Sequence, residues 1–194
     1  MNIEIKIDEI RNILKKNLKN SRYKHTLGVE KSAIKLAEIY GESTEKVIIS
    51  SLFHDFAKYM TNEELDSYIE QYDIKLDEIE KLDYSIIHGK VAKYIAENEY
   101  NIKDLDILNS IEFHTTGRKY MTKLEKIIYL ADYIEENRVY DGVEILRKLA
   151  YETSLEEALL ESFNNSINFL LKKSVLIHKN TIEARNQILK ELKY

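Results

Sequence analysis

His54 and Asp55 stand side by side at the end of the apolar run Val47-Ile48-Ile49-Ser50-Ser51-Leu52-Phe53. An imidazole and a carboxylate in a segment that reads as core are costly, because buried polar and charged groups must be neutralised, paired or metal-bound. His25 lies upstream, and Asp132 lies downstream in the apolar stretch Ile127-Ile128-Tyr129-Leu130-Ala131-Asp132. The order His…His-Asp…Asp, each member set in hydrophobic sequence, points to a divalent-metal site.

Taken singly, each histidine has a plainer explanation. A lone histidine among apolar neighbours is more often hydrogen-bonded in a core than a ligand. His178, in Val175-Leu176-Ile177-His178, fits that description, and His25, in Arg22-Tyr23-Lys24-His25, could equally sit at the surface. His54-Asp55 is harder to explain away, because adjacent helix residues point about 100° apart and one side-chain partner rarely serves both.

Lys58 follows Asp55 at i+3 and His54 at i+4, which puts it on the same helix face. An exposed Asp–Lys pair stabilises little, so Lys58 reads better as a cation beside the metal that holds substrate phosphate. Asp132 and Glu135 share a face by the same spacing, Glu135 either supporting the site or solvated. His88-Gly89 and His114-Thr115-Thr116-Gly117-Arg118 complicate a one-metal picture. The second stretch reads equally as an oxyanion-binding cluster of hydroxyls, backbone N–H groups and arginine or as an ordinary helix end with polar loop residues.

Composition narrows the chemistry. The 194 residues include no cysteine, which excludes disulfides, thiolate catalysis and cysteine-held clusters and leaves His, Asp and Glu as the strong ligands. A net charge of −5 argues against non-specific nucleic-acid binding. No window approaches the ~18 apolar residues of a membrane span, and Met1-Asn2-Ile3-Glu4-Ile5-Lys6 lacks a signal-peptide core. The expectation is a cytoplasmic protein with no membrane and no nucleic-acid partner.

Helical periodicity supplies the elements that must carry these residues. Ile10, Ile13, Leu14 and Leu18 form one stripe after a cap at Asp8. Leu27, Ile34, Leu36, Ala37 and Tyr40 form a second, closed by Gly41. Ser43-Thr44 opens a third helix that runs to the His-Asp pair, and Thr61-Asn62-Glu63-Glu64 is a capped restart. Further helices are expected at about 85–98, 104–114, 122–136, 143–151, 154–172 and 181–192, with Gly117 and Gly142 at helix ends. Proline is absent, and no alternating strand pattern of useful length appears. The expected fold is a compact, all-α, multi-helix bundle with the metal site in its core.

At these residues the sequence resembles the HD-domain metal-dependent phosphohydrolases, whose defining pattern is His…His-Asp…Asp. Longer stretches resemble the bacterial YqeK family of symmetrical diadenosine tetraphosphate hydrolases. They are Arg22-Tyr23-Lys24-His25-Thr26-Leu27-Gly28-Val29, Leu52-Phe53-His54-Asp55-Phe56-Ala57-Lys58, His114-Thr115-Thr116-Gly117, and Tyr129-Leu130-Ala131-Asp132-Tyr133-Ile134-Glu135 with Arg138 beyond it. The resemblance implies one HD-type domain over 1–194, with iron held by His25, His54, Asp55 and Asp132. It implies catalytic roles for His54, Asp55, Lys58 and Asp132. Phosphate contacts would come from Arg22, Lys58, His88, His114 and Arg138 around Asp55 and Asp132, and the segment carrying Ile177, His178, Lys179 and Thr181 would approach the nucleoside. Glu136 and Lys179 stand where the family often has proline, which affects loop stiffness more than ligation.

The implied reaction is attack of metal-activated water beside the middle of a four-phosphate bridge, releasing two ADP. Nitrogen and carboxylate ligands suit iron, manganese, nickel, cobalt or zinc; the resemblance favours iron. His88 and His114 would either bind a second metal or, if protonated, offset phosphate charge. The expected partner is a dinucleoside polyphosphate or other nucleotide, and a homodimer is compatible with the chain. Two other readings share these residues: a different HD nucleotide phosphohydrolase, such as a nucleotidase or guanosine tetraphosphate hydrolase, and a non-catalytic nucleotide sensor.

Overall fold

The computed structural model describes residues 7–194, so Met1–Lys6, read for a signal peptide, lies outside the described residues. Ten α-helices follow one another: α1 Ile7–Asn17, α2 Asn20–Tyr40, α3 Thr44–His54, α4 Asn62–Gln71, α5 His88–Asn98, α6 Leu105–Glu112, α7 Lys123–Ile134, α8 Val143–Glu152, α9 Leu155–Lys173 and α10 Lys179–Lys193. A 3-10 turn at Tyr84–Ile86 precedes α5, and there is no strand among the described residues. The expected all-α bundle is what forms.

Local chemistry sets most of the boundaries. Ser43 accepts the Lys46 N–H at 3.3 Å to open α3. Thr61 and Glu64 exchange hydrogen bonds as a capping box at the start of α4. Gly41 closes α2 at φ 69°, where a side chain would be strained.

Three sequence expectations need correction. Asp8 is not a cap: α1 starts at Ile7, and Asp8 lies in its first turn, where a carboxylate favours the helix dipole. Gly142 does not end a helix but opens α8, at φ 91°. Leu27 is 36% exposed, because α2 buries a wide face that includes His25, Thr26 and Glu30 as well as Val29, Ala33 and Leu36.

That wide face follows from the packing. Helix α2 lies against both α3 and α7, while α6 packs on α3, α5 and α7. Leu36, Leu52, Phe53, Ile111, Ile127 and Phe163 are fully buried at these junctions. Each such side chain stabilises the fold by about 1.5–3 kcal/mol relative to exposure. Helix α9 packs on α7, α8 and α10, completing the far side. The His-Asp pair therefore sits at the end of a helix enclosed by its neighbours.

Candidate metal centre

Four buried histidines and two carboxylates converge where α2, α3, α5, α6 and α7 meet. His25 comes from mid-α2, His54 from the last turn of α3, His88 from the first turn of α5, and His114 from just past α6. Asp55 terminates α3 with a non-helical backbone, φ −105°. Its Oδ2 lies 3.7 Å from His25 Nε2 and 3.5 Å from His54 Nε2. Its Oδ1 lies 3.1 Å from His88 Nε2 and 3.8 Å from His114 Nε2. Asp132, on the last turn of α7, places Oδ1 3.0 Å from His25 Nε2.

The hydrogen bonds of the outer ring nitrogens set the tautomers. His25 Nδ1 meets Glu135 Oε1 at 3.1 Å, His54 Nδ1 the Ser51 carbonyl at 2.6 Å, His88 Nδ1 the Ser85 carbonyl at 2.9 Å and His114 Nδ1 the Ile111 carbonyl at 2.8 Å. These carbonyl and carboxylate oxygens can only accept, so each Nδ1 offers them its N–H and each ring turns its Nε2 inward. His25 Nε2 and His54 Nε2 are buried without a hydrogen-bond partner. His88 Nε2 and His114 Nε2 face each other at 3.1 Å. Lone pairs gathered around two carboxylates form a donor set that fits a divalent cation, with the outer contacts of the kind that orient metal-binding histidines.

The donors fall into two groups that share Asp55: His25, His54 and Asp55, and Asp55, His88 and His114. Burial pushes both carboxylates up, but the surrounding groups outweigh it. His54 and His88 hold Asp55 well below the usual carboxylate range. His25, His54 and Arg138 do the same for Asp132. Burial also lowers His54, yet the Asp55 and Asp132 carboxylates raise it overall. His88 is lowered by burial, and His114 is pushed down to about 3 by burial and the neighbouring His88 and His54. Burial thus disfavours the cationic forms of His88 and His114.

Arg22 donates to Asp55 Oδ2 at 2.8 Å, and Arg138 to Asp132 Oδ1 at 2.6 Å. Lys58 is not on the α3 face, since the helix ends at His54 and residues 55–59 form turns. Its Nζ nonetheless returns to the site, donating to the Ser85 carbonyl at 3.2 Å and lying 3.4 Å from His88 Nδ1. Burial pushes the Lys58 ammonium down, against the pull of Asp55.

Helix α7 ends at Ile134, and Glu135 turns inward as its cap, meeting the same His25 ring as Asp132. Almost fully buried, it holds His25 and accepts from Asn137 N at 2.7 Å and Asn137 Nδ2 at 2.8 Å. Arg118 pairs with a carboxylate outside the cluster. Its Nε and Nη2 donate to the two Glu125 carboxylate oxygens at 2.7 and 2.6 Å.

A two-lobed cleft adjoins the cluster. The larger lobe, about 590 Å³, is bounded by His114, Asp132 and Arg138 and by a wall of Tyr129, Tyr133, Tyr140 and Phe169. The smaller, about 240 Å³, is bounded by Asp83, Ser85, Ile86, Leu176, His178 and Thr181. Ile177 and Lys179 line neither lobe. His178 Nε2 is 2.7 Å from Asp77 Oδ2 and its Nδ1 accepts the Asn180 N–H at 3.2 Å, so it can offer only its ring face. The tyrosines were not singled out in the sequence; Tyr129 and Tyr133, four residues apart on one helix turn, were the available signal.

Residues 22–137 match the HD domain family model. The chain belongs to the HD domain family. Among similar proteins is the symmetrical bis(5'-nucleosyl)-tetraphosphatase of Halalkalibacterium halodurans, 42% identical over 183 residues, 93% of this chain and 96% of that protein. The enzyme of the same name from Staphylococcus aureus is 39% identical, covering 93% of each chain. A crystal structure of a predicted HD superfamily hydrolase involved in NAD metabolism, from Clostridium acetobutylicum, superposes with a TM-score of 0.90. It is 45% identical and covers 95% of this chain and 97% of that one. No helix among the described residues of this family member is long and apolar enough to cross a membrane.

Proposed function

We propose that this chain is a symmetrical bis(5'-nucleosyl)-tetraphosphatase that hydrolyses diadenosine tetraphosphate to two ADP. The observation that carries the reading is the pair of unpartnered nitrogens, His25 Nε2 and His54 Nε2, facing the Asp55 and Asp132 carboxylates inside an HD-family bundle. His25, His54, Asp55 and Asp132 would hold the divalent ion, and iron is our choice among the metals such donors accept. Bound there, it supplies Lewis acidity to a phosphoryl oxygen and lowers the pKa of a water towards neutrality. His88 and His114, with Asp55 Oδ1, offer a place for a second ion.

The chain's own cations manage the substrate's charge. A guanidinium carries five N–H donors in a fixed fork, so Arg22 and Arg138 can keep their carboxylate contacts and still donate to phosphate. Lys58, held at the Ser85 carbonyl, adds a third positive group beside the cluster. Together they offset the tetraphosphate's charge as it crosses the metal centre. The 1–194 chain acts in this reading as one HD-type unit in the cytoplasm.

Chromatography of the products is the test. Purified protein incubated with diadenosine tetraphosphate and divalent iron is expected to yield ADP alone, two per substrate consumed. Equal ATP and AMP, or preference for guanosine tetraphosphate or a nucleoside monophosphate, would assign a different HD hydrolase. Saturable nucleotide binding with no turnover across several metals would assign a sensor.

A further inference from the structure

The two lobes share a wall. Thr115, Tyr133, Ser166 and Phe169 bound both of them. The two lobes stand differently to the metal cluster. The larger touches it directly through His114, Asp132 and Arg138. The smaller adjoins it at Ser85, whose carbonyl accepts from Lys58 Nζ and His88 Nδ1. A molecule lying across the cluster with a bulky group at each end matches that layout.

The larger lobe is built for a flat, polar-edged ring. Tyr133 and Tyr140 meet edge to face with centroids 5.5 Å apart, and the Tyr140 hydroxyl donates to the Tyr133 carbonyl at 3.0 Å. Asn165 and Asn168 on α9 supply carboxamides that both donate and accept. Its volume of about 590 Å³ falls within the usual range for small-molecule sites. On the shared wall, Thr115 Oγ1 is buried with no hydrogen-bond partner, so a donor and an acceptor stand ready where a chain would pass between lobes.

We propose that the larger lobe, walled by Tyr133, Tyr140 and Phe169, is the subsite for the second nucleoside of the dinucleotide. The first nucleoside occupies the smaller lobe against the His178 ring. With a nucleoside seated in each lobe, the middle of the phosphate bridge is centred on the metal cluster, and cleavage is held at its midpoint. The inference rests on the tetraphosphatase reading and adds to it a two-ended grip on the substrate.

The test compares diadenosine tetraphosphate with adenosine 5′-tetraphosphate, which has the same phosphates and one nucleoside. Steady-state kinetics are run on the wild-type, Tyr140→Ala and Tyr140→Phe proteins, and on Asn168→Trp, an exposed position whose larger side chain narrows the lobe. If adenosine 5′-tetraphosphate is not cleaved, its inhibition constant takes the place of its kcat/KM. The preference for the dinucleotide over the mononucleotide is expected to fall about ten-fold or more in Tyr140→Ala and Asn168→Trp through KM, the scale of one lost base–aromatic stack. Tyr140→Phe keeps the ring and should keep the preference. An unchanged preference in both Tyr140→Ala and Asn168→Trp, whether activity on both substrates falls or neither does, overturns the second subsite. A wild-type protein inert towards diadenosine tetraphosphate instead overturns the tetraphosphatase reading itself.

Discussion

Asp132→Ala is expected to lower kcat/KM for diadenosine tetraphosphate by about 10³-fold or more, the several kcal/mol that a metal's electrophilic role supplies. Its Oδ1 is the oxygen closest to His25 Nε2, at 3.0 Å, and also receives Arg138 at 2.6 Å. One substitution therefore removes a ligand and frees a phosphate-binding guanidinium. Asp132 is half-buried at the end of α7 and contributes little core volume, so the helical content should not change. Circular dichroism beside steady-state kinetics checks both halves. Loss of turnover together with loss of helix would mean that the residue is structural, and retained turnover that it is no ligand.

A large effect on stability is expected at Gly89, on the first turn of α5. A Cβ there would lie 2.9 Å from the carbonyl oxygens of both Ile111 and Glu112 and 3.0 Å from His114 Nδ1. The first two are backbone atoms of α6 and cannot swing away. Gly89→Ala must therefore push α5 off α6, and overpacking of this kind costs about 1–3 kcal/mol, a fall in Tm of roughly 5 °C. The same shift would part His88 Nε2 from His114 Nε2, now 3.1 Å apart. Thermal unfolding of the variant checks the point; an unchanged Tm would show that the two helices have room to spare.

The metal ligands were legible because polar residues in apolar runs are conspicuous. His54-Asp55 and Asp132 each interrupt a stretch of buried aliphatic side chains, and no ordinary core requires that. The caps were legible for a similar reason: Ser43 and the Thr61…Glu64 box carry their hydrogen-bonding chemistry in four consecutive residues. The helix ends were less legible, because nothing local announces that α3 stops at His54 or α7 at Ile134. At both stops the chain turns a carboxylate inward, Asp55 and Glu135, each beside the His25 ring. The partner of Arg118 was not legible either, because Glu125 lies seven residues on and meets it only through the turn into α7. The aromatic lobe exists only once α9 packs on α7, so residues as distant as Tyr129 and Phe169 carry no joint signal in the chain.

Imidazole lone pairs and carboxylates from α2, α3 and α7 should hold a single cation tightly, and anomalous diffraction at the iron edge can locate it. Crystals of active, iron-loaded protein are predicted to give a strong peak within bonding distance of His25 Nε2, His54 Nε2 and the Asp55 and Asp132 carboxylates. An active crystal with no peak there, or with its strongest peak away from these four side chains, would contradict the account.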